Sequence, residues 1–264
     1  MKANTFLAIL AASGLSLVMN HAAQAVPIAD TYIGADDNGW GDVIGSTQNF
    51  QIRGMEVSLS GSILSVSIDT TFAGKGDNGL FAGYTNTAAG QGKGIGYGDL
   101  FLSSNWTPYG SASDGYINDD ASNGTQWTYG FSLDDRWMSE TDMGTGTLYA
   151  LAGDNSDILL SDDFLSGATY RNGQAVAVDT TKATAMNTGT WNIDTLNQLV
   201  NFQIDLSGTG LDMGSEIALR WEFTCANDVI EGSYSVPEPG VALLMGIGLV
   251  GIAAARRKQP RKPV

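Results

Sequence analysis

The stretch IALRWEFTCANDVIEG, Ile217–Gly232, decides the fold class of this chain. Large apolar side chains occupy every second position over residues 217–225: Ile217, Leu219, Trp221, Phe223 and Cys225. The positions between them carry Ala218, Arg220, Glu222 and Thr224. A period of two is typical of a β-strand with one buried face and one face in water. We therefore expect Arg220 and Glu222 on a solvated face, together with Glu216.

The same alternation recurs in at least two other places, over Leu64–Phe72 and Val200–Leu206. Shorter apolar runs lie between clusters of Gly, Asn, Asp and Ser, and the chain holds 34 glycines. Glycine disfavours helices, and no helical stripe in the body, residues 26–235, extends beyond about two turns. The sequence predicts an all-β fold, a two-layered antiparallel sandwich or jelly-roll-like body over residues 26–235.

The amino terminus has the three parts of a secretory signal peptide. Lys2 precedes an apolar run over residues 6–19, and Ala23-Gln24-Ala25 follows as a small-residue cleavage pattern. We expect signal peptidase to remove residues 1–25. The chain is then exported.

The charge of the body limits its partners. Residues 26–236 contain seven of the 13 basic and 27 of the 28 acidic residues, which gives a net charge of −20. Such a surface repels nucleic acids and anionic membranes, so no nucleic-acid partner is expected. Cys225 is the single cysteine and cannot form an intrachain disulfide. We expect it to be a small buried apolar residue.

The sequence lacks the residues that common catalytic sites need. The one histidine, His21, lies in the predicted signal peptide. A mature chain without histidine has no Ser-His or Cys-His catalytic pair and no ordinary zinc site. We predict no catalytic residues and no enzymatic activity. An alternative is a glycoside hydrolase that uses two carboxylates such as Glu216 and Glu222.

A lectin-like carbohydrate-binding module is the other alternative. Trp106, Tyr109 and Tyr116 lie in one polar segment, NWTPYGSASDGYIND, and aromatic faces in such a segment can stack on sugar rings. Their other interpretation is that they fill the sandwich core.

Acidic loops make calcium the one cofactor that the sequence suggests. Carboxylates with turn-forming neighbours occur at Asp36, Asp37, Asp42, Asp154 and Asp157. Hard cations prefer several such oxygens. The alternative is that these side chains cap turns at strand ends. No other cofactor is expected.

A short sequence similarity, which we call the Asp-Val-Ile echo, occurs near both ends of the body. NGWGDVIG, residues 38–45, and CANDVIEG, residues 225–232, both place Asp-Val-Ile after a turn-forming pair. The match is either a coincidence in an Asp- and Gly-rich chain or a sign that both segments finish strands at the same rim of the sandwich.

The carboxyl end combines three features in order. Pro237-Glu238-Pro239 is followed by 15 consecutive Gly or apolar residues, Val241–Ala255, and then by Arg256, Arg257 and Lys258. As a helix the apolar run covers about 22 Å, less than the ~30 Å hydrocarbon core. The basic residues place its far end on the cytoplasmic side. The prolines keep the segment before it extended.

This order, over residues 236–260, closely resembles the PEP-CTERM sorting signal of exported proteins from Gram-negative bacteria, many of which make exopolysaccharide. The resemblance implies that an exosortase reads and cuts the chain near Pro237, Glu238 and Pro239. It also implies a single hydrophobic sorting helix that holds the chain transiently in the inner membrane. The product would then reach the cell surface or the extracellular matrix, where extracellular polysaccharide is a possible partner.

Overall fold

The computed structural model describes residues 25–36, 39–139, 143–214 and 216–236. The predicted signal peptide, apart from Ala25, and the predicted sorting helix lie outside these residues.

Twelve strands and two short helices make up the regular structure of the described residues. The strands are β1 (Val26–Ala29), β2 (Ile52–Ser60), β3 (Ile63–Thr70), β4 (Leu100–Ser103), β5 (Tyr129–Leu133), β6 (Gly144–Ala150), β7 (Ile158–Leu160), β8 (Ala175–Val178), β9 (Thr184–Asp194), β10 (Leu199–Asp205), β11 (Glu216–Glu222) and β12 (Val229–Ser235). The helices are α1 (Thr47–Phe50) and α2 (Ser161–Phe164), and single 3₁₀ turns span Ala82–Tyr84, Ala112–Asp114 and Leu211–Met213. Among the described residues, no helix has the length and apolar character that a membrane crossing requires.

Ten of the strands form one antiparallel sheet in the order β1-β2-β3-β10-β9-β6-β5-β4-β11-β12, and β7 pairs with β8 separately. The prediction of an all-β antiparallel body is confirmed. The sheet is continuous and curves until its two edge strands lie side by side. At this seam a Cβ on Gly232 of β12 would lie 2.6 Å from Cγ2 of Ile28 in β1. Glycine at 232 is therefore what allows the edges to approach.

The main hydrophobic core lies on one face of this sheet. It contains Trp191 of β9, Phe202 of β10 and Trp221 of β11, together with the buried thiol of Cys225. The prediction that Cys225 is a buried apolar residue is confirmed. Burial raises the pKa of its thiol to about 12, so the thiol stays protonated and unreactive.

A second, smaller core covers the opposite face of β4 and β11. Phe101, Trp127, Val178 and Ala218 pack there, with Ile158 of β7 beside them. Strand β11 therefore has both faces buried, since β7, β8 and their loops lie over the face that alternation assigned to water.

The prediction that Arg220 and Glu222 lie on a solvated face is wrong. Their side chains are 2% and 0% exposed. The reason is long-range: the covering layer comes from distant parts of the chain, and a two-residue alternation in β11 carries no information about it. Glu216, at the start of β11, remains half-buried.

Candidate functional site

The predicted calcium residues do not form one site. Asp36 accepts hydrogen bonds from the backbone N–H groups of Trp40 (2.8 Å) and Gly41 (3.0 Å). Asp154 accepts from Ser156 N–H at 3.0 Å, and Asp157 from Ala152 N–H at 2.7 Å. These contacts are those of side chains that stabilise turns. Asp37 lies outside the described residues.

Asp42 instead joins two aspartates that the sequence analysis did not select. One carboxylate oxygen from each of Asp30, Asp42 and Asp228 lies within 4.8 Å of the others. Asp228 is fully buried and accepts from the N–H groups of Ile52 (2.5 Å) and Val229 (2.9 Å). Oδ1 of Asp30 is buried and has no hydrogen-bond partner within the described part of the chain. We call these three residues the aspartate cluster.

Arg171 is the positive charge next to the aspartate cluster. Its guanidinium is buried and donates to the carbonyl oxygens of Ala226 and Ala35, each at 3.0 Å. It also donates to the carbonyl oxygens of Gly41 (3.0 Å) and Asp42 (2.6 Å). Arg171 therefore fixes the loop before α1 against the turn before β12. One guanidinium faces three carboxylates.

The pKa values of the cluster reflect this imbalance. Burial and, to a smaller extent, the charge of Asp42 raise the pKa of Asp30 to about 8 against the opposing charge of Arg171. Burial also raises the pKa of Asp42, and it raises that of Asp228 well above its ordinary range. The cluster thus favours uptake of positive charge, either as protons or as a cation.

The Asp-Val-Ile echo is the sequence signal that could have found this site. Its two aspartates are Asp42 and Asp228, which the fold brings together. The N–H of Ile44 donates to the carbonyl oxygen of Asn227 at 2.7 Å, so the two segments lie side by side. The two segments are therefore adjacent, as that interpretation predicted, but it was wrong that both finish strands, because residues 39–45 lie in a loop before α1. Asp30 carries no comparable signal.

A second group of buried charges surrounds Arg220. Its Nη1 donates to Oε2 of Glu231 at 2.7 Å and to the hydroxyl of Tyr32 at 3.1 Å. Its Nη2 lies 2.9 Å from Oε2 of Glu222 and also donates to Oε1 of Gln174. We call these five residues the Arg220 network.

Burial perturbs the acids in and beside this network. Desolvation raises the pKa of Glu222 to about 7 against the opposing charge of Arg220. Desolvation and the charge of Glu231 raise the pKa of the neighbouring Asp119 to about 6. Perturbed acids often mark functional sites, but these side chains have almost no exposed surface for a substrate to reach. The network is structural.

The predicted aromatic residues do not form a shared surface. Trp106 is half-buried, and its indole N–H donates to Glu231 at 2.9 Å. Tyr116 packs edge-on against Trp106, with ring centroids 5.5 Å apart. Tyr109 is 54% exposed. The interpretation as core-filling residues is correct for Trp106 and Tyr116, and Tyr109 is left alone on the surface.

Comparison with known proteins addresses the carboxyl end. The PEP-CTERM protein-sorting motif matches residues 235–258, so the chain carries this sorting motif, as its Pro-Glu-Pro, apolar and basic segments predicted. The motif indicates exosortase as the processing partner and export to the cell surface. No curated protein and no solved structure matches the chain. Apart from Ala25, the residues of the predicted processing sites and membrane stop lie outside the described residues.

The raised pKa of Glu222 predicts a pH-dependent stability. Its folded pKa of about 7 exceeds its ordinary value of 4.5. The folded state therefore holds the proton more tightly, and this stabilisation is complete below pH 4.5 and is lost as the pH rises through 7. We expect the free energy of unfolding to fall between pH 5 and pH 8. Glu222→Gln should flatten the fall by up to about 1.4 kcal/mol per pH unit, measured by urea unfolding.

Glu216→Gln is the control, because Glu216 is half-buried and lies outside the Arg220 network. Its pH profile should follow that of the unmodified protein. Equal slopes for the unmodified protein and Glu222→Gln would contradict the assignment.

Proposed function

We propose that this chain is an exported, non-catalytic surface or matrix protein that is processed at both ends. The observation that carries the proposal is the position of the sorting motif, which begins at Ser235, the last residue of β12. Ser235 pairs with Glu216 of β11, so the motif follows directly on the last paired residue of the sheet.

Both proposed cuts leave the sheet whole. Cleavage by signal peptidase after Ala25 makes Val26 the new amino terminus, and Val26 begins β1 and pairs with Val57 of β2. Cleavage by exosortase near Pro237 comes after Ser235 and spares every strand. The sequence boundaries and the strand boundaries thus agree at both ends.

Before the second cut, the apolar residues 241–255 would hold the chain in the inner membrane, with Arg256, Arg257 and Lys258 on the cytoplasmic side. The run is short for a permanent span, which suits a segment that is removed. The product then reaches the cell surface or the extracellular matrix, and extracellular polysaccharide is the partner that such a location offers.

The positions of Glu216 and Glu222 support a non-catalytic role. A glycoside hydrolase needs its two carboxyl groups about 5 to 10 Å apart. Glu216 and Glu222 lie at opposite ends of β11, which puts them about 20 Å apart along an extended strand. Glu222 is also paired with Arg220 in the interior. This pair therefore does not favour the hydrolase alternative.

Deletion of residues 237–264 tests the sorting proposal. We expect the deleted chain to be lost from the membrane and surface fractions while its far-ultraviolet circular dichroism and melting temperature stay unchanged, since all described strands end before residue 237. Fractionation with immunoblotting measures the location. A matched variant, Pro237→Ala with Pro239→Ala, keeps the apolar run and should accumulate unprocessed in the inner membrane. An unchanged location and mass for both variants would refute the proposal.

Calcium is proposed to bind at the aspartate cluster of Asp30, Asp42 and Asp228. The three oxygens are close enough to share one ion. The unpartnered Oδ1 of Asp30 supplies an acceptor, and the charge excess over Arg171 matches a divalent cation. Of the aspartates first selected from sequence and described by the structure, Asp42 alone belongs to this cluster.

Millimolar calcium should therefore raise the melting temperature relative to chelator, by about 5–10 °C at a hundredfold excess over Kd. Asp42→Asn should remove most of the rise, because it removes one ligand charge. Asp154→Asn is the control and should keep it, since Asp154 is exposed in a separate turn. A melt that is the same with calcium and with chelator would rule out the site.

A further inference from the structure

Three of the four largely exposed aromatic residues of the described chain line one cleft. The cleft has a volume of about 350 Å³ and is lined by Trp40, Phe81, Tyr84 and Asn227, among others. We call it the aromatic cleft. We propose that it binds an uncharged carbohydrate. The aromatic rings would stack on the sugar, and the amide of Asn227 would accept a hydrogen bond from one of its hydroxyl groups.

Most of the exposed aromatic side chains of the described residues are concentrated in this cleft. Among the described residues four aromatic side chains are largely exposed, and three of them line this cleft: Trp40 (52%), Phe81 (37%) and Tyr84 (45%). The fourth, Tyr109, does not line it. An aromatic ring that stays exposed to water forgoes the stabilising free energy of burial. Three exposed rings in one cleft therefore indicate a surface that a ligand covers.

The backbone holds these rings in position. Phe81 has a left-handed backbone conformation, with φ of 59°, which is uncommon for a bulky residue. Its ring lies between Phe50, at 6.0 Å between centroids, and Tyr84, at 6.1 Å. The carbonyl oxygen of Tyr84 accepts from Ser166 N–H at 2.9 Å. These contacts restrain the segment that carries Phe81 and Tyr84, which lowers the cost of ordering these two rings on binding.

Asn227 supplies the polar contact. It lines the cleft and is 2% exposed, and among the described residues its Oδ1 is buried without a hydrogen-bond partner. A buried acceptor without a donor is costly, so a small side-chain rotation that turns this amide toward the cleft would let it pair with a ligand hydroxyl. A purely apolar ligand offers the amide no partner. A sugar, which has an apolar C–H face and hydroxyl groups at its edge, satisfies both the rings and the amide.

The charge of the protein favours an uncharged sugar over an anionic one. Among the residues that the structure describes, no Asp, Glu, Lys or Arg lines the cleft. The body as a whole carries −20, which repels polyanions such as uronic-acid or sulfated polymers. An uncharged oligosaccharide is therefore the ligand class that fits. The proposed extracellular location provides such glycans, but the binding itself does not depend on how the tail is processed.

The test uses the full chain, purified in a detergent without a sugar head group because of its apolar run. An array of neutral oligosaccharides of glucose, mannose, galactose and N-acetylglucosamine identifies the best probe, and calorimetric titration with that probe gives Kd. We expect Trp40→Ala and Tyr84→Ala each to weaken binding about tenfold. Trp40→Phe should retain most of the affinity, since a ring remains.

Tyr109→Ala is the matched control, an exposed aromatic outside the cleft, and should leave Kd within about twofold. Asn227→Leu, which keeps the side-chain size, should abolish binding while the melting temperature is maintained. The proposal is overturned if no neutral glycan binds, if Tyr109→Ala weakens binding as much as Trp40→Ala, or if the cleft takes an apolar peptide and no sugar. None of these outcomes depends on sorting, so the sorting proposal stands or fails separately.

Discussion

The buried charge of Arg220 is the constraint on which the architecture depends. A guanidinium in the interior must be paired, and removing one partner of a buried pair typically costs about 3–5 kcal/mol. The partners of Arg220 come from four separate places: Tyr32 after β1, Gln174 before β8, Glu222 in β11 and Glu231 in β12. This one side chain therefore ties the amino-terminal segment and the covering layer to the two strands at the end of the sheet.

Arg171 repeats this arrangement at the neighbouring rim. Its four carbonyl contacts join the loop before α1 to the turn before β12. The aspartate cluster and the aromatic cleft both use these segments: Asp42 and Trp40 lie in the loop, and Asn227 and Asp228 are adjacent in the turn. A cation at the cluster would neutralise the charge beneath the loop that carries Trp40. The proposed ion and the proposed sugar thus belong to one rim of the fold.

The sequence predicted the strands whose apolar face is continuous and could not predict what covers them. Alternation located β3, β10 and β11 within a few residues. It missed β9, where Trp191 and Ile193 alone are buried and the other residues of the strand are exposed or half-buried. It also placed Arg220 in water, because the second layer over β11 is assembled from residues far away in the chain. The Asp-Val-Ile echo could have revealed two members of the aspartate cluster, Asp42 and Asp228. It could not have revealed Asp30, which is 198 positions from Asp228 and lies in no comparable sequence pattern.

The agreement between the processing boundaries and the strand boundaries is the central claim about function. Val26 is the first residue of β1, and Ser235 is the last residue of β12. The sorting motif starts at Ser235. Intact-mass analysis of the protein recovered separately from cells and from the medium tests this most directly. The account predicts a mature species that begins at Val26 and ends close to Pro237, with any covalent adduct at its new carboxyl terminus. A single species with the mass of the full 264-residue chain in both fractions would contradict it.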